Sequence, residues 1–189
     1  THLASSAASD VYKRQVHSVN SWQGRVHRLV DRMLALVTTR LIACTAQVAD
    51  KLHKQDGINA TRIVTLANGI DLQRFADVTP VDIEQELDAA GSAPWLAVLG
   101  RLEPVKGQAY LLECLALLRD QGTDFRCVLI GDGPERDALV EQVARLQLTK
   151  HVRFAGFRDN VPAWLAAIDV LVMPSRWEGL PMALLEAMA

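Results

Sequence analysis

Short apolar segments alternate with amphipathic ones through most of this chain, and the alternation limits the folds that it can adopt. Each apolar segment has the length of a buried strand, and each amphipathic segment repeats its apolar residues at three- and four-residue spacing. Such alternation is typical of right-handed βαβ units, so we predict an α/β fold with a Rossmann-like, doubly wound parallel sheet. The predicted strands are 95–99, 126–130, 152–155 and 169–173, and the predicted helices between them are 106–121, 134–148 and 160–167.

Residues 16–62 carry the same signals and predict the end of a preceding Rossmann-like domain. Segment 41–45 has the composition of a strand, and segments 25–38 and 47–54 have that of helices. A strand-like segment 63–66, a turn at Asn68-Gly69 and a helix-like segment 81–90 then lead into the second domain. Residues 9–15 look like a translated adaptor, so we expect residues 1–15 to be non-native. The predicted domains are therefore residues 16–62, the remnant of one domain, and residues 63–189, an incomplete second domain.

Charge and composition exclude several classes of protein. The formal net charge of −2 gives no overall attraction to nucleic acid. The cysteines are widely spaced, which favours small core residues in a reducing compartment over a disulfide framework. No apolar run approaches the roughly 18 residues that a membrane-spanning helix needs. These features favour a globular protein.

Two carboxylates near the end of the chain, Glu178 and Glu186, follow the predicted strand 169–173. Pro181 is favoured at the first positions of a helix, so we expect a helix from about Leu180. Glu178 would then precede the helix and Glu186 would project from it, where the pair could hold a polyhydroxylated ligand. The alternative, a dipole-complementing loop residue and a solvated surface residue, is equally consistent with the pair alone.

Two cations follow strand 95–99 in the segment Gly100-Arg101-Leu102-Glu103-Pro104-Val105-Lys106-Gly107. A lysine at a helix N-terminus opposes the helix dipole unless an anion lies nearby. Arg101 offers a fork of donors and Lys106 a point charge, so together they suggest a diphosphate clamp. The alternative is two surface cations with Glu103 as a partner.

Glycines also follow strand 126–130, in Gly131-Asp132-Gly133-Pro134. They permit positive φ and close backbone approach to a ligand, although a plain tight turn explains them equally well. The third glycine of a dinucleotide fingerprint would fall at Arg136, which argues against a nicotinamide-dependent oxidoreductase.

Taken in order, these clusters resemble those of glycosyltransferase family 4 over about residues 25–189. The resemblance rests on Asn68-Gly69-Ile70-Asp71 with Phe75, Gly100-Arg101-Leu102 with Lys106-Gly107, Gly131-Asp132-Gly133-Pro134, Phe154-Ala155-Gly156-Phe157, and Pro174-Ser175-Arg176-Trp177-Glu178-Gly179 through Glu186-Ala187-Met188-Ala189. It implies the GT-B fold, with residues 16–62 from the acceptor-side domain and 63–189 from the donor-binding domain. It also implies sugar transfer from a nucleotide donor with retention of configuration.

The resemblance implies a role for each site residue. Arg101, Lys106 and Glu178 would be catalytic, the cations on the diphosphate and Glu178 beside the transferred sugar. Glu186 would bind the ribose, the backbone of Gly179 and Leu180 the phosphate, and the backbone around Phe157 and Arg158 the base. Gly69, Asp132 and Gly133 would line the same cleft.

The expected partners are a nucleoside-diphosphate sugar and a glycan or lipid-linked acceptor, with no nucleic acid. The chain has no D-x-D motif, so we expect no metal and no cofactor. We expect the protein in the cytoplasm or peripherally at the inner face of the membrane, with any membrane contact through the missing half, and a role in cell-envelope polysaccharide synthesis. The truncated chain alone is expected to be inactive. A nucleotide-sugar epimerase and a non-catalytic nucleotide-sugar-binding protein of the same fold remain as alternatives.

Overall fold

The computed structural model of the protein describes residues 13–16, 33 and 39–189, with only the backbone for residues 13–16. The chain divides into two compact units, one containing Thr1–Gly69 and Glu178–Pro181, the other Ile70–Trp177 and Met182–Ala189. Of the predicted helix 25–38, residue 33 is described and is helical, and the other residues lie outside the described part of the chain.

The described part of the first unit contains a parallel sheet of three strands in the order β1-β2-β3 and a helix that follows the second strand. Thr45 caps the helix, because its hydroxyl accepts a hydrogen bond from the Val48 N–H at 3.2 Å. Leu180 packs against the apolar core of this unit. The elements are β1 (Lys13–Val16), β2 (Arg40–Ala43), α1 (Ala46–Lys54) and β3 (Ile63–Thr65), and the core residues are Leu41, Ala43, Cys44, Val48, Leu52 and Ile58.

The pairing of β3 shows that the boundary between the two units lies later in the chain than the sequence predicted. Sequence assigned the strand at residues 63–66 to the second domain, but β3 pairs with β2 in the sheet of the first unit. The first unit therefore runs to Gly69, not to residue 62. Residues 66–70 form no turn, so the turn predicted at Asn68-Gly69 is wrong.

The second unit is a four-stranded parallel sheet in the order β6-β5-β4-β7. The chain steps from β4 to β5 to β6 in one direction and then crosses to the far side of β4, as a doubly wound sheet requires. The predicted α/β fold class is confirmed. The elements are α2 (Ile83–Leu87), β4 (Trp95–Leu99), α3 (Gln108–Asp120), β5 (Arg126–Ile130), α4 (Arg136–Arg145), β6 (Val152–Gly156), α5 (Val161–Leu165), β7 (Val170–Leu171) and α6 (Met182–Ala187).

Apolar side chains cover both faces of this sheet, which explains why its central strands read as continuous apolar runs. One cluster is built around Leu112, Leu115 and Leu129, and the other around Trp95 and Trp164. These five side chains are at most 3% exposed. The strand order and the two packed faces place the loops after β4, β5 and β7 at one edge of the sheet.

Two details of the second unit differ from expectation. The last helix begins at Met182 and not near Leu180, so Glu186 lies just past its first turn. Cys114 is exposed on α3, whereas Cys44 and Cys127 are buried as predicted. Within the described part of the chain, no helix has the length and apolar character required to cross a membrane.

Candidate functional site

The loops that follow β4 and β5 are joined by backbone hydrogen bonds at the carboxyl edge of the sheet. The Gly100 N–H donates to the Ile130 carbonyl at 2.9 Å, and the Leu102 N–H donates to the Asp132 carbonyl at 3.0 Å. A third bond runs from the Glu135 N–H back to the Leu102 carbonyl at 3.0 Å. The backbone on both sides of Arg101 is thereby fixed to the neighbouring loop.

Two glycines of the β5 loop are required by this close contact. A Cβ on Gly131 would lie 2.1 Å from the Gly100 carbonyl oxygen, and one on Gly133 would lie 2.5 Å from the Leu102 carbonyl oxygen. Gly131 also has a φ of 136°, which favours glycine. The Gly133 N–H donates to Oδ1 of Asp132 at 2.8 Å, so the side chain of Asp132 already uses this donor. These glycines are explained first by contact between the two loops.

Arg101 presents its guanidinium to solvent from a fixed backbone. Its side chain is 72% exposed, and Nη2 lies 3.0 Å from Oε1 of Glu103. Glu103, which the surface-cation alternative predicted as the partner of Arg101, therefore does pair with it. An exposed pair of this kind contributes only about 0–1 kcal/mol, so an anionic ligand can compete with Glu103 for the guanidinium.

Lys106 lies on the same loop, with its side chain next to Gly100. Its Nζ is 3.9 Å from the position that a Cβ on Gly100 would occupy. Lys106 ends a short 3₁₀ turn, Pro104–Lys106, and α3 begins two residues later than predicted, at Gln108. The structure brings both predicted cations to one loop beside the N-terminus of α3, where a phosphate group is electrostatically favoured.

Gly107 links this loop to the one that follows β7. It has a φ of 71°, and a Cβ there would lie 2.1 Å from the Pro174 carbonyl oxygen. The Arg176 N–H donates to the Val105 carbonyl at 2.8 Å, which joins the same two loops a second time. Loops from three strands, β4, β5 and β7, thus support the segment that carries Arg101 and Lys106.

The two carboxylates that sequence treated as a pair belong to different units. Glu178 falls in the first unit with Gly179 and Leu180, and Glu186 lies on α6 of the second. Glu186 is half-buried and makes no ion pair with any residue in the described part of the chain. Gly179 and Leu180 precede α6, so their N–H groups do not belong to its first turn as expected.

The remaining predicted site residues differ in their exposure and in their contacts with other protein groups. Phe157 is 79% exposed just after β6. The guanidinium of Arg158 lies 4.9 Å above the Trp164 ring and 3.6 Å from Oε2 of Glu86, and its buried Nε has no hydrogen-bond partner among the described residues. Asp132 and Gly69 are exposed, and a Cβ on Gly69 would meet nothing within 4 Å.

Sequence reasoning missed one polar residue at this edge, Gln108. Its side chain is only 2% exposed, and its Nε2 donates to the Arg101 carbonyl at 2.9 Å. The signal was available, because Gln108 shares a helical stripe with Leu111, Leu112 and Leu115, all of which are buried. A polar residue on an apolar stripe indicates a buried hydrogen bond.

The strand order of the second unit, together with two cations on a glycine-supported loop at the carboxyl edge, defines a Rossmann-like α/β domain with a candidate phosphate-binding edge. Residues 82–189 match the sequence model of the family described as glycosyl transferases group 1. Because this match covers more than half of the chain, the chain belongs to that family.

Two curated relatives are similar along most of the chain. One is a protein of Bacillus subtilis named as the glycosyltransferase EpsF. It is 36% identical over 173 residues, which are 89% of this chain and 45% of that protein. The UDP-Gal:alpha-D-GlcNAc-diphosphoundecaprenol alpha-1,3-galactosyltransferase of Escherichia coli is 30% identical over 167 residues, 86% of this chain and 43% of that protein. The chain thus spans less than half the length of these relatives.

A solved structure with the same fold is Anabaena HepE in complex with UDP-glucose. It superposes with a TM-score of 0.80 at 25% identity, over 93% of this chain and 50% of that chain. The predicted GT-B fold class, with Rossmann-like α/β domains, is confirmed by such neighbours.

Proposed function

We propose that this chain provides the nucleotide-sugar-binding part of a glycosyltransferase that moves a sugar from a nucleoside-diphosphate donor to an acceptor with retention of configuration. The observation that carries the proposal is the placement of Arg101 and Lys106 on one loop at the carboxyl edge of the sheet. That loop is held by backbone hydrogen bonds and by glycines with no room for a side chain. Two cations on a loop with a fixed backbone suit a diphosphate, because little backbone rearrangement is needed on binding.

The proposed chemistry follows from the charges that develop during transfer. Breaking the bond between the sugar and the diphosphate leaves negative charge on the phosphate oxygens and positive charge on the sugar carbon. Arg101 and Lys106 stabilise the departing diphosphate, and preorganised cations of this kind can supply much of the catalysis. Glu178 contacts the transferred sugar and helps to stabilise its oxocarbenium-like centre.

The other donor contacts are assigned to the remaining predicted site residues. Glu186, half-buried and without an ion pair among the described residues, binds the ribose hydroxyls. The backbone at Phe157 and Arg158 binds the base, while the Arg158 guanidinium lies over the Trp164 ring. Gly179 and Leu180 contact phosphate through backbone N–H groups, and Gly69, Asp132 and Gly133 line the cleft. The N–H of Gly133 takes no part in this, because it donates a hydrogen bond to the Asp132 carboxylate.

The names of related proteins support the substrate class. HepE was solved with UDP-glucose, and the Escherichia coli relative transfers galactose from UDP to a diphosphoundecaprenol-linked sugar. We infer a uridine-type or similar nucleotide sugar as donor and a glycan or lipid-linked acceptor, as in envelope polysaccharide synthesis. The cations take the place of a metal ion, so chelation of divalent metals should leave donor binding unchanged. The site is proposed to act in the cytoplasm or at the inner face of the membrane.

A thermal-shift screen of the chain against UDP-, GDP- and ADP-sugars tests this proposal. A ligand that binds only the folded state raises the melting temperature, and the rise grows with ligand concentration. We expect one nucleotide class to raise it while the corresponding nucleoside does not. No shift with any member of the panel would contradict the proposal.

Two alternatives use the same fold and would bind the same donors. A nucleotide-sugar epimerase would convert the donor sugar without an acceptor, and a non-catalytic binding protein would leave it unchanged. Product analysis of the full-length protein with donor and acceptor separates the three, because only a transferase releases nucleoside diphosphate and lengthens the acceptor.

A further inference from the structure

The amide of Gln108 is a buried polar group in the first turn of α3. Its Nε2 lies 2.9 Å from the carbonyl oxygen of Arg101, seven residues earlier in the chain. Gln108 shares its helical stripe with Leu111, Leu112 and Leu115, so an apolar residue would be the ordinary choice at this position. A buried amide is costly unless it is hydrogen-bonded, which indicates that the bond to Arg101 explains the residue.

The bond from Gln108 is one of several hydrogen bonds that fix the backbone around Arg101. The N–H groups of Gly100 and Leu102 donate to the β5 loop, and the Glu103 N–H donates to the Arg101 carbonyl at 3.0 Å. Gln108 is the only member of this set that reaches Arg101 from α3 through a side chain. It couples the orientation of the Arg101 peptide to the helix that begins beside Lys106.

The guanidinium of Arg101 depends on these backbone ties. Its side chain is 72% exposed, and among the described residues its ion-pair partner is Glu103 at 3.0 Å. The exposed side chain has little packing to orient it, so the place where the guanidinium lies is set largely by the direction in which its Cα–Cβ bond leaves the loop. A tilt of the 101–102 peptide would therefore change the place where the guanidinium lies.

We propose that Gln108 is a positioning residue for Arg101, acting through the Arg101 carbonyl to hold the guanidinium where a diphosphate can bridge it to Lys106. The ligand part of this inference rests on the proposed function. The backbone part does not, because it concerns the order of residues 100–103 in the free protein.

The first experiment measures that order without any ligand. Gln108→Met keeps the length of the side chain and removes the donor. Gln142→Met is the matched control, because the Nε2 of Gln142 donates to another carbonyl of α3, that of Ala109, at 3.0 Å. We expect the heteronuclear ¹⁵N–¹H NOE of the Arg101 and Leu102 amides to fall in Gln108→Met and to stay at the wild-type value in Gln142→Met. Unchanged NOE values in Gln108→Met would overturn the proposal.

The second experiment is a double-mutant cycle with UDP as the probe, read by calorimetry. Loss of one hydrogen bond corresponds to a roughly two- to tenfold change in an equilibrium constant, so we expect Gln108→Met to weaken UDP binding by that factor. In an Arg101→Ala background the same substitution should have no further effect. Equal losses in both backgrounds would show a general structural role and overturn the positioning claim.

The two experiments separate this inference from the proposed function. If the wild-type chain bound none of UDP, GDP and ADP, the proposed function would fail, while the NOE values would still decide whether Gln108 orders Arg101. If Gln108→Met does not fold, as judged by near-ultraviolet circular dichroism, Gln108→Leu repeats the test with a smaller side chain. Binding by the wild type, with no change in either Gln108 variant, would sink this inference and leave the proposed function standing.

Discussion

The Nη2 atom of Arg101 lies 3.0 Å from Oε1 of Glu103, two residues further along the same loop. The carboxylate therefore engages one nitrogen of the guanidinium that the proposed diphosphate would bind. The ion pair competes with an anionic ligand for that nitrogen.

Replacing Glu103 by Gln should increase the affinity for UDP. An exposed ion pair is worth at most about 1 kcal/mol, so the expected gain is up to about fivefold. Asp120→Asn is the control, because it removes one negative charge from the same unit by breaking an exposed pair with Arg119. Calorimetric titration should show the gain for Glu103→Gln alone, and a loss of affinity would show that Glu103 assists binding instead.

Replacing Gly133 by Ala should destabilise the second unit. The added Cβ would lie 2.5 Å from the Leu102 carbonyl oxygen, so the two loops must separate. Overpacking of this kind costs about 1–3 kcal/mol. Gly69→Ala is the matched control, because its Cβ would meet nothing within 4 Å. Urea denaturation measures both variants, and equal stability of the two would refute the contact argument.

The stability of the protein should depend on pH through Glu84. Its carboxylate accepts hydrogen bonds from Arg126 and from the Trp95 indole, and the bond from Arg126 is the main cause that lowers the pKa of Glu84 below 4.5. A lowered folded pKa stabilises the protein above the unfolded pKa, and this stability is lost as the pH falls through the folded value.

Wild type and Glu84→Gln should therefore differ most above pH 4.5 and converge at lower pH. Thermal unfolding of both proteins between pH 3 and pH 7 checks this expectation. A stability difference that grows as the pH falls would contradict the assignment.

One thiol should react in the native protein. Cys114 is exposed on α3, whereas burial raises the pKa of Cys127 to about 12 and Cys44 is also buried. Only the thiolate is nucleophilic, so the buried thiols stay inert until the chain unfolds. Titration with a thiol reagent should count one group in buffer and three in denaturant. Retention of the single reactive group in Cys114→Ser would show that a different thiol is accessible.

Sequence predicted most accurately the elements that burial alone determines. Strands β4 and β5 have the predicted limits because their residues are buried on both faces of the sheet. The helix predicted at 81–90 is shorter, because Asp88 adopts a left-handed conformation and ends it at Leu87. Element ends depend on such local contacts, which apolar periodicity does not record.

The candidate site was predictable where a motif lies on one loop, and not where it depends on contacts between loops. Arg101 and Lys106 were found because both follow the same strand. The start of α6 was missed because Leu180 packs against the core of the first unit, which Pro181 could not reveal. The contact between Gly133 and the Leu102 backbone was not predicted, because the two residues lie thirty-one positions apart in sequence and meet only in the folded chain.

The central claim is that Arg101 and Lys106 together bind the diphosphate of a nucleotide sugar. Calorimetric titration of UDP, GDP and ADP into wild type, Arg101→Ala, Lys106→Ala and the control Arg145→Ala tests it most directly. Arg145 is an exposed cation on α4, so its loss matches the change in charge. We predict that wild type and Arg145→Ala bind one of the three nucleotides equally, and that each site variant binds it at least about tenfold more weakly. Equal binding by all four proteins would contradict the account.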